Sequence, residues 1–217
     1  MKEVIIIGAG GHGAEIDEYI LYTKFDFEKK AIKVVGFIDD NPLNYDKYQL
    51  SAPLLGSIKE HTIDQNKYYI IGIANLQFRK PIVNNFLSNG AKFITLIHST
   101  ACVSPSSKIG YGVVIAPFVN IGPNVIVGDF TIINSRASMG HDSKIGKHNF
   151  ITPNVCFSGF TEIGDENLFG INSATIPEIK VGNRNKITAG MILDKNIEDD
   201  TIVFHRFKER IIAVPKK

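Results

Sequence analysis

The sequence has few cysteines, almost no surplus charge and no long apolar run, and each shortage removes a class of protein. Cys102 and Cys156 are its 2 cysteines among 217 residues. Neither falls in a metal-ligand spacing, so no metal is expected, and both are read as small buried side chains in a reducing compartment. Lys and Arg number 24 against 22 Asp and Glu, a formal charge of +2 with the signs interspersed. That balance leaves no footprint for nucleic acid. The apolar run in MKEVIIIG is far too short for a signal peptide or a membrane span, and glycine-rich sequence follows at once. A cytoplasmic protein without a membrane partner is therefore expected, long enough for one large or two small domains.

What the sequence does have is a period. From Ile97 to Leu193 an apolar residue returns every sixth position, through Val103, Ile109, Ile115 and Ile121, with Thr175 the one exception and Ile176 beside it. A helix cannot use that period, since its apolar stripe repeats at about 3.6 residues. Hexads of this kind predict a parallel β-helix whose stacked coils bury a continuous core. Gly often follows the aliphatic residue, as at Gly128, Gly140 and Gly146, which suits a corner needing backbone angles that other residues resist. Small or β-branched residues stand four places after it, among them Val125, Thr131 and Ala137.

Residues 1–93 lack the hexad. Val4–Ile7, Val34–Ile38 and Tyr68–Ile73 read as strands, His12 to Tyr22 and Gln77 to Leu87 as helices, and Phe93–Ile97 as a last strand running into the first coil. Alternating strands and helices predict a small α/β nucleotide-binding-like domain with a parallel sheet, followed over 94–217 by the β-helix and a C-terminal tail. Gly8, Gly10 and Gly13 fit G-x-G-x-x-G between strand and helix, a turn that brings backbone N–H groups to a phosphate. About 90 residues do not hold the second mononucleotide half of a full dinucleotide site, which argues against hydride transfer. Asp39 and Asp40, closing the second strand, are placed to receive ribose hydroxyls or base N–H groups.

His141 and Asp142, in MGHDSK, are the candidate catalytic pair. Acyl transfer from a thioester needs a base for the attacking amine or hydroxyl, a task suited to imidazole at neutral pH, and an adjacent carboxylate orients the ring. No Ser or Cys lies in a nucleophile motif, which favours direct attack by the acceptor. His98 is read as capping the first coil, His148 as projecting from another face, and His205 as having no partner.

Repeats such as IGPNVI, VGDFTI, IGKHNF and IGDENL resemble those of the left-handed β-helix acyltransferases. VIIIGAGGHGAEI, GFIDDN, LIHSTACVSPSSKIG and NSRASMGHDSKIG resemble the sialic-acid O-acetyltransferase-like family, which includes N-acetyltransferases of nucleotide-linked 4-amino-sugars. The resemblance covers nearly the whole chain. It implies a left-handed β-helix, acetyl-coenzyme A as co-substrate, and a homotrimer with active sites between subunits. It makes His141 the general base and sets Asn134 close to the reaction centre. It implies nucleotide-sugar contacts at Gly10, Gly11, His12, Asp39, Asp40 and Ala74, with Asn75 and Arg79 near the same mouth. For Arg79 the alternatives are a phosphate partner or a solvated helix charge, and for His12 a ligand contact or a residue packing on the loop. Coenzyme contacts are implied at Gly170, Ile171, Ala189 and Gly190, the two pairs about one coil apart. Phe150 stands where some relatives place a second His in the coenzyme pocket, so that contact is expected to be missing. The tail VFHRFKERIIAVPKK departs from the usual ending, and Arg206, Lys208 and Arg210 are either phosphate partners or a solvated edge.

Three functions follow as alternatives. The first is acetyl-coenzyme-A-dependent N-acetylation of a nucleotide-linked 4-amino-4,6-dideoxy-sugar for bacterial surface glycan synthesis. The second is O-acetylation of sialic acid or another sugar, and the third a non-catalytic β-helix scaffold. Nucleotide base, sugar stereochemistry and acyl chain are not readable from the residues.

Overall fold

The computed structural model describes residues 1–205. Its first part is a parallel sheet built from β1 (Lys2–Ile7), β2 (Ile32–Ile38), β3 (Leu54–Gly56), β4 (Tyr68–Ile71) and β5 (Lys92–Phe93), in the order β3-β2-β1-β4-β5. Helices α1 (Gly11–Thr23) and α3 (Leu76–Ser88) make crossovers, and a one-turn helix α2 (Pro42–Tyr45) follows β2. The apolar runs at Val4–Ile7 and Tyr69–Ile71 are buried, as central parallel strands require. Both long helices lie where the sequence puts them; α2 and the short edge strand β3 carried no periodic signal.

The expected strand Phe93–Ile97 is two strands in different sheets. Lys92–Phe93 pairs with β4, while Leu96–Ile97 pairs with Val114–Ile115. The chain changes partners between them: the Ile94 N–H still donates to Tyr69 O, and the Leu96 N–H donates to Val113 O. Thr95 bridges the change, donating its hydroxyl to Gly110 O at 2.9 Å.

From Leu96 onward the chain winds into a left-handed β-helix of three parallel faces made of two-residue strands. The first face runs from Leu96–Ile97 to Ile202–Val203, the second from Cys102–Val103 to Ile192–Leu193, and the third from Lys108–Ile109 to Lys180–Val181. Strand partners are eighteen residues apart, as in Ile132 with Phe150 and Ile133 with Ile151, except in the last coil, where Lys186 pairs with Ile202. The apolar hexad residues Ile115, Ile133, Ile151, Phe169 and Ile187 point inward and form the core of the prism. Thr175 also points inward at 4% exposure. Its hydroxyl accepts the Ser158 N–H at 3.1 Å and meets Thr161 Oγ1 at 3.0 Å, so the break in the aliphatic register is a satisfied polar contact.

The corners correct one expectation. Positive φ falls not on the glycines that follow the aliphatics but two residues later, on Phe118, Asn124, Arg136, Asp142 and Asn154 among others. Those glycines serve close approach instead. A Cβ at Gly140 would come within 2.5 Å of the Gly159 nitrogen in the next coil, a separation that stacked backbone cannot yield.

Alternation along each strand turns the residue before the aliphatic outward. On the first face these outward residues, including Val114, Ile132 and Phe150, are buried again because the α/β part packs over them and shares one core with them. On the second face they include Cys102 and Cys156, which are exposed rather than buried as expected. Val103 and Phe157 take the inward positions beside them, and the pleat leaves each cysteine outside.

Candidate active site

The corner between the second and third faces carries His141 and Asp142. Asp142 sits in the left-handed region, φ 59°, which folds its carboxylate back onto the preceding side chain. Oδ2 lies 2.8 Å from His141 Nδ1. Asn124, one coil earlier, donates Nδ2–H to Oδ1 at 3.0 Å. The amide of Asn124 and then the imidazole of His141 hold the Asp142 carboxyl below the usual carboxylate range. An ionised Asp142 accepts from Nδ1–H, leaving Nε2 with its lone pair. The ring packs edge-on against Phe160, with centroids 5.1 Å apart, and lies over Gly159 in the next coil. Asn124, Gly159 and Phe160 went unremarked in the sequence; the eighteen-residue step from Asp142 and His141 was the signal that leads to them.

A second locus is the corner between the first and second faces. Asn134, 8% exposed, opens one of its turns, and its Oδ1 accepts the N–H of Ser135 at 2.8 Å. Further along the same edge come Gly170, Ile171, Ala189 and Gly190. A Cβ at Gly170 would meet Ala189 N at 2.5 Å, Gly190 has open space about it, and Ile171 is exposed. This edge offers small groups and backbone to a long thin ligand. It is a different corner from that of His141, with the whole second face between them, so one chain does not bring Asn134 and the groove together with the base.

The third locus is the glycine loop. Gly8 has φ +102°, and a Cβ at Gly13 would come within 2.1 Å of Gly8 O, so the loop closes only with glycine there. Gly10 is the N-cap of α1 and no side chain caps it. Asp39 ties this loop to its own: it accepts the Ala9 N–H and the Asn41 N–H at 2.8 Å each, and Asn44 Nδ2 at 3.2 Å. Asp40 is the more available acid, accepting only the Lys59 N–H at 3.1 Å beside a Lys59 ammonium 4.0 Å away. His12 Nδ1 meets Glu15 Oε2 at 3.0 Å. Ala74 is half-buried, and Asn75 is the N-cap of α3, accepting the Gln77 N–H at 2.9 Å. Both line a cleft of about 610 Å³ between α3 and the β-helix.

Arg79 corrects both of its readings. It is fully buried in the seam between the two parts, neither solvated nor open to a phosphate. Its Nη2 donates to Phe130 O at 3.1 Å, His148 O at 2.6 Å and Asn149 O at 3.0 Å, three carbonyls of one β-helix corner. Burial pushes the guanidinium down to about 9. Phe150, read as a coenzyme position, lies in the same seam at 8% exposure, between the His12 ring at 5.7 Å and Arg79 at 5.8 Å. Its side chain faces the α/β part rather than the groove edge because it is the outward residue of a covered strand. His98 is buried against Tyr19, and His148 stacks on Phe130 in the seam. His205 is exposed; Arg206, Lys208 and Arg210 lie outside the described residues. A buried polar ladder also escaped the sequence reading: Asn149 Oδ1 accepts the Asn167 N–H and Asn167 Oδ1 the Asn185 N–H, each at 2.8 Å.

Among the described residues, no three His, Cys, Asp or Glu side chains group to hold a metal, and no helix is long and apolar enough to cross a membrane.

Comparison with known proteins fits this layout. Residues 3–86 match the PglD N-terminal domain. The chain is 30% identical over 117 residues to the UDP-N-acetylbacillosamine N-acetyltransferase of Bacillus subtilis (strain 168), covering 53% of this chain and 51% of that protein. It is 32% identical over 135 residues to the GDP-perosamine N-acetyltransferase of Escherichia coli O157:H7, covering 58% and 56%. The chain thus spans about half the length of the curated relatives it matches. The acetyltransferase domain of PglB from Neisseria gonorrhoeae FA1090, solved with acetyl coenzyme A, superposes with a TM-score of 0.81 at 26% identity, over 93% of this chain and 95% of that one. The resemblance drawn from the hexads and from VIIIGAGGHGAEI is borne out.

Proposed function

We propose that this protein, which resembles the sialic-acid O-acetyltransferase-like family of left-handed β-helix acyltransferases, moves an acetyl group from acetyl-coenzyme A to the amine of a nucleotide-linked 4-amino-4,6-dideoxy-sugar. The observation that carries the reading is the His141–Asp142 pair, with Nδ1 occupied by the carboxylate and Nε2 left for chemistry. The curated relatives are named for acting on nucleotide-linked amino-sugars, which favours an amine acceptor over a free-sugar hydroxyl. The paired base and the open groove weigh against a non-catalytic scaffold.

His141 Nε2 takes a proton from the sugar amine as its nitrogen attacks the thioester carbonyl. Asp142 stabilises the imidazolium that results, and Asn124 keeps the carboxylate in place. As the tetrahedral adduct collapses, the C–S bond breaks and His141 returns the proton to the departing sulfur. The products are the acetamido-sugar and the free thiol of coenzyme A. Acetyl-coenzyme A, when bound, supplies the activated acyl group; Gly170, Ile171, Ala189 and Gly190 supply a narrow edge along which its arm lies. The glycine loop, Asp39, Asp40, Ala74 and Asn75 hold the nucleotide, and Asn134 lies beside the thioester.

The groove edge and His141 bound opposite sides of the second face, so the site is completed by a neighbouring copy, in a trimer. The outward residues of that face support this reading: Asn120, Ser138, Ala174 and Ile192 carry no charge, whereas the third face presents Lys108, Lys144, Glu162 and Lys180. Dependence on acetyl-coenzyme A and a nucleotide-sugar favours a cytoplasmic location.

The test is coenzyme A release with UDP-, dTDP- and GDP-linked 4-amino-4,6-dideoxy-sugars against free sialic acid. Turnover with an amino-sugar nucleotide, lost by about 10²- to 10⁴-fold in His141→Ala, is expected for a general base. Wild-type turnover in His141→Ala would sink the assignment, and activity on sialic acid alone would establish the hydroxyl acceptor.

A further inference from the structure

Gly11, the first residue of α1, faces Tyr48. A Cβ at Gly11 would stand 3.0 Å from the Tyr48 hydroxyl and 3.8 Å from its Cζ. The φ of Gly11 is not in the left-handed region, so what the glycine provides here is room: a methyl group would require the Tyr48 side chain to shift. The phenol reaches the helix start because its segment is fastened to α1. Asp17, 2% exposed on α1, accepts the Ser51 N–H at 2.8 Å and the Ser51 hydroxyl at 2.5 Å. Tyr45 OH donates to Ala52 O at 3.0 Å, and the Tyr48 N–H donates to Tyr45 O at 3.3 Å. Residues 45–52 thus form a strap across the first turns of α1, with Tyr48 at the end nearest the glycine loop.

The Tyr48 ring is not part of the core; it is 43% exposed, and among the described residues nothing hydrogen-bonds its hydroxyl. Around it the polar groups are unevenly used. The first N–H groups of a helix lack intrahelical acceptors, and Gly10 supplies no cap. In the same turn His12, with a side chain 9% exposed, has a buried Nε2 without a partner. The nearby carboxylates are engaged, Asp39 by the loop amides and Glu15 by His12. A phenol hydroxyl close to Gly11, at a helix start without a side-chain cap, is a donor available to an anionic acceptor.

We propose that Tyr48 binds phosphate: its hydroxyl donates to a phosphoryl oxygen of the nucleotide-sugar, beside the N–H groups of the first turn of α1. This rests on the nucleotide-sugar reading given above and adds to it a specific donor from outside the glycine motif. Gly11 and Tyr48 then form one unit, the glycine making room for the hydroxyl.

The test uses the whole protein, titrated calorimetrically with UDP, dTDP and GDP, with steady-state kinetics for the matching nucleotide-sugar. Tyr48→Phe removes only the oxygen. A hydrogen bond to a charged group predicts at least about a tenfold loss of affinity for the nucleoside diphosphate. It also predicts a similar rise in KM for the nucleotide-sugar, with KM for acetyl-coenzyme A held. Tyr48→Leu is expected to lose no more than Tyr48→Phe. Diphosphate binding by Tyr48→Phe equal to wild type overturns the proposal, as does a loss confined to Tyr48→Leu, which would make the ring rather than the hydroxyl the binding group. A wild-type protein that binds none of the three diphosphates would instead overturn the nucleotide reading itself, and Tyr48 with it.

Discussion

The imidazole of His141 rests over Gly159, the residue one coil beyond it, so closely that a Cβ there would stand 2.8 Å from both Cε1 and Nε2. The missing side chain is what lets Nε2 face outward while Nδ1 stays on Asp142. Gly159→Ala is therefore expected to turn the ring without disturbing the coils. Displacing a reacting group by about 1 Å reduces turnover by about 10²-fold. Steady-state kinetics beside a thermal melt will separate the two effects: turnover falls while the melting temperature holds. A variant with wild-type kcat would show that the ring has another way to sit.

Arg79 joins the two parts of the chain through three backbone carbonyls. Arg79→Met leaves Phe130 O and His148 O without a donor, while Asn149 O keeps the Ile132 N–H at 2.9 Å. Unsatisfied buried acceptors cost about 1–3 kcal/mol each, and relief of the buried charge offsets part of this. Denaturant unfolding is expected to show a net loss, with the α/β part melting before the β-helix. A single transition at the wild-type midpoint would contradict the role.

His148 couples stability to acid. Burial first, then the nearby Arg79 and Lys80 charges, hold its imidazole below the usual range. The unfolded chain then binds a proton more readily than the folded one, so stability is full above about pH 6.5 and falls as the pH drops through that value. His148 Nδ1 has no partner to lose, and its φ of 56° suits asparagine. The fall in melting temperature between pH 7 and pH 5.5 is expected to be smaller in His148→Asn. An unchanged slope would assign it to other groups, such as buried His98.

Thr175 looks like a fault in the aliphatic register, and replacement by valine restores the pattern. The structure predicts the opposite of a gain. Thr175→Val takes the acceptor from the Ser158 N–H and the partner from Thr161 Oγ1, at about 1–3 kcal/mol. Calorimetric melting of the variant decides between the two.

The six-residue period determined the β-helix by itself, because stacked coils demand the same side-chain type at each turn of the prism. It also fixed which residues stack, so that Asn124 and Asp142, or His141 and Gly159, were readable as neighbours once the step of eighteen was known. The glycine loop and the alternation of strands with helices likewise fixed the α/β part. Tertiary structure alone decided what covers each face. A hexad marks a residue as outward but not as exposed, and so Phe150 is buried under the α/β part, where Arg79 of α3 is buried in the same seam, while Cys102 and Cys156 on an uncovered face are not. The same packing placed Tyr48 over Gly11, a contact between segments far apart in sequence that no local pattern encodes. Periodicity records the repeating interactions of a chain with itself; the seam between its two parts occurs once, and a single contact leaves no period to read.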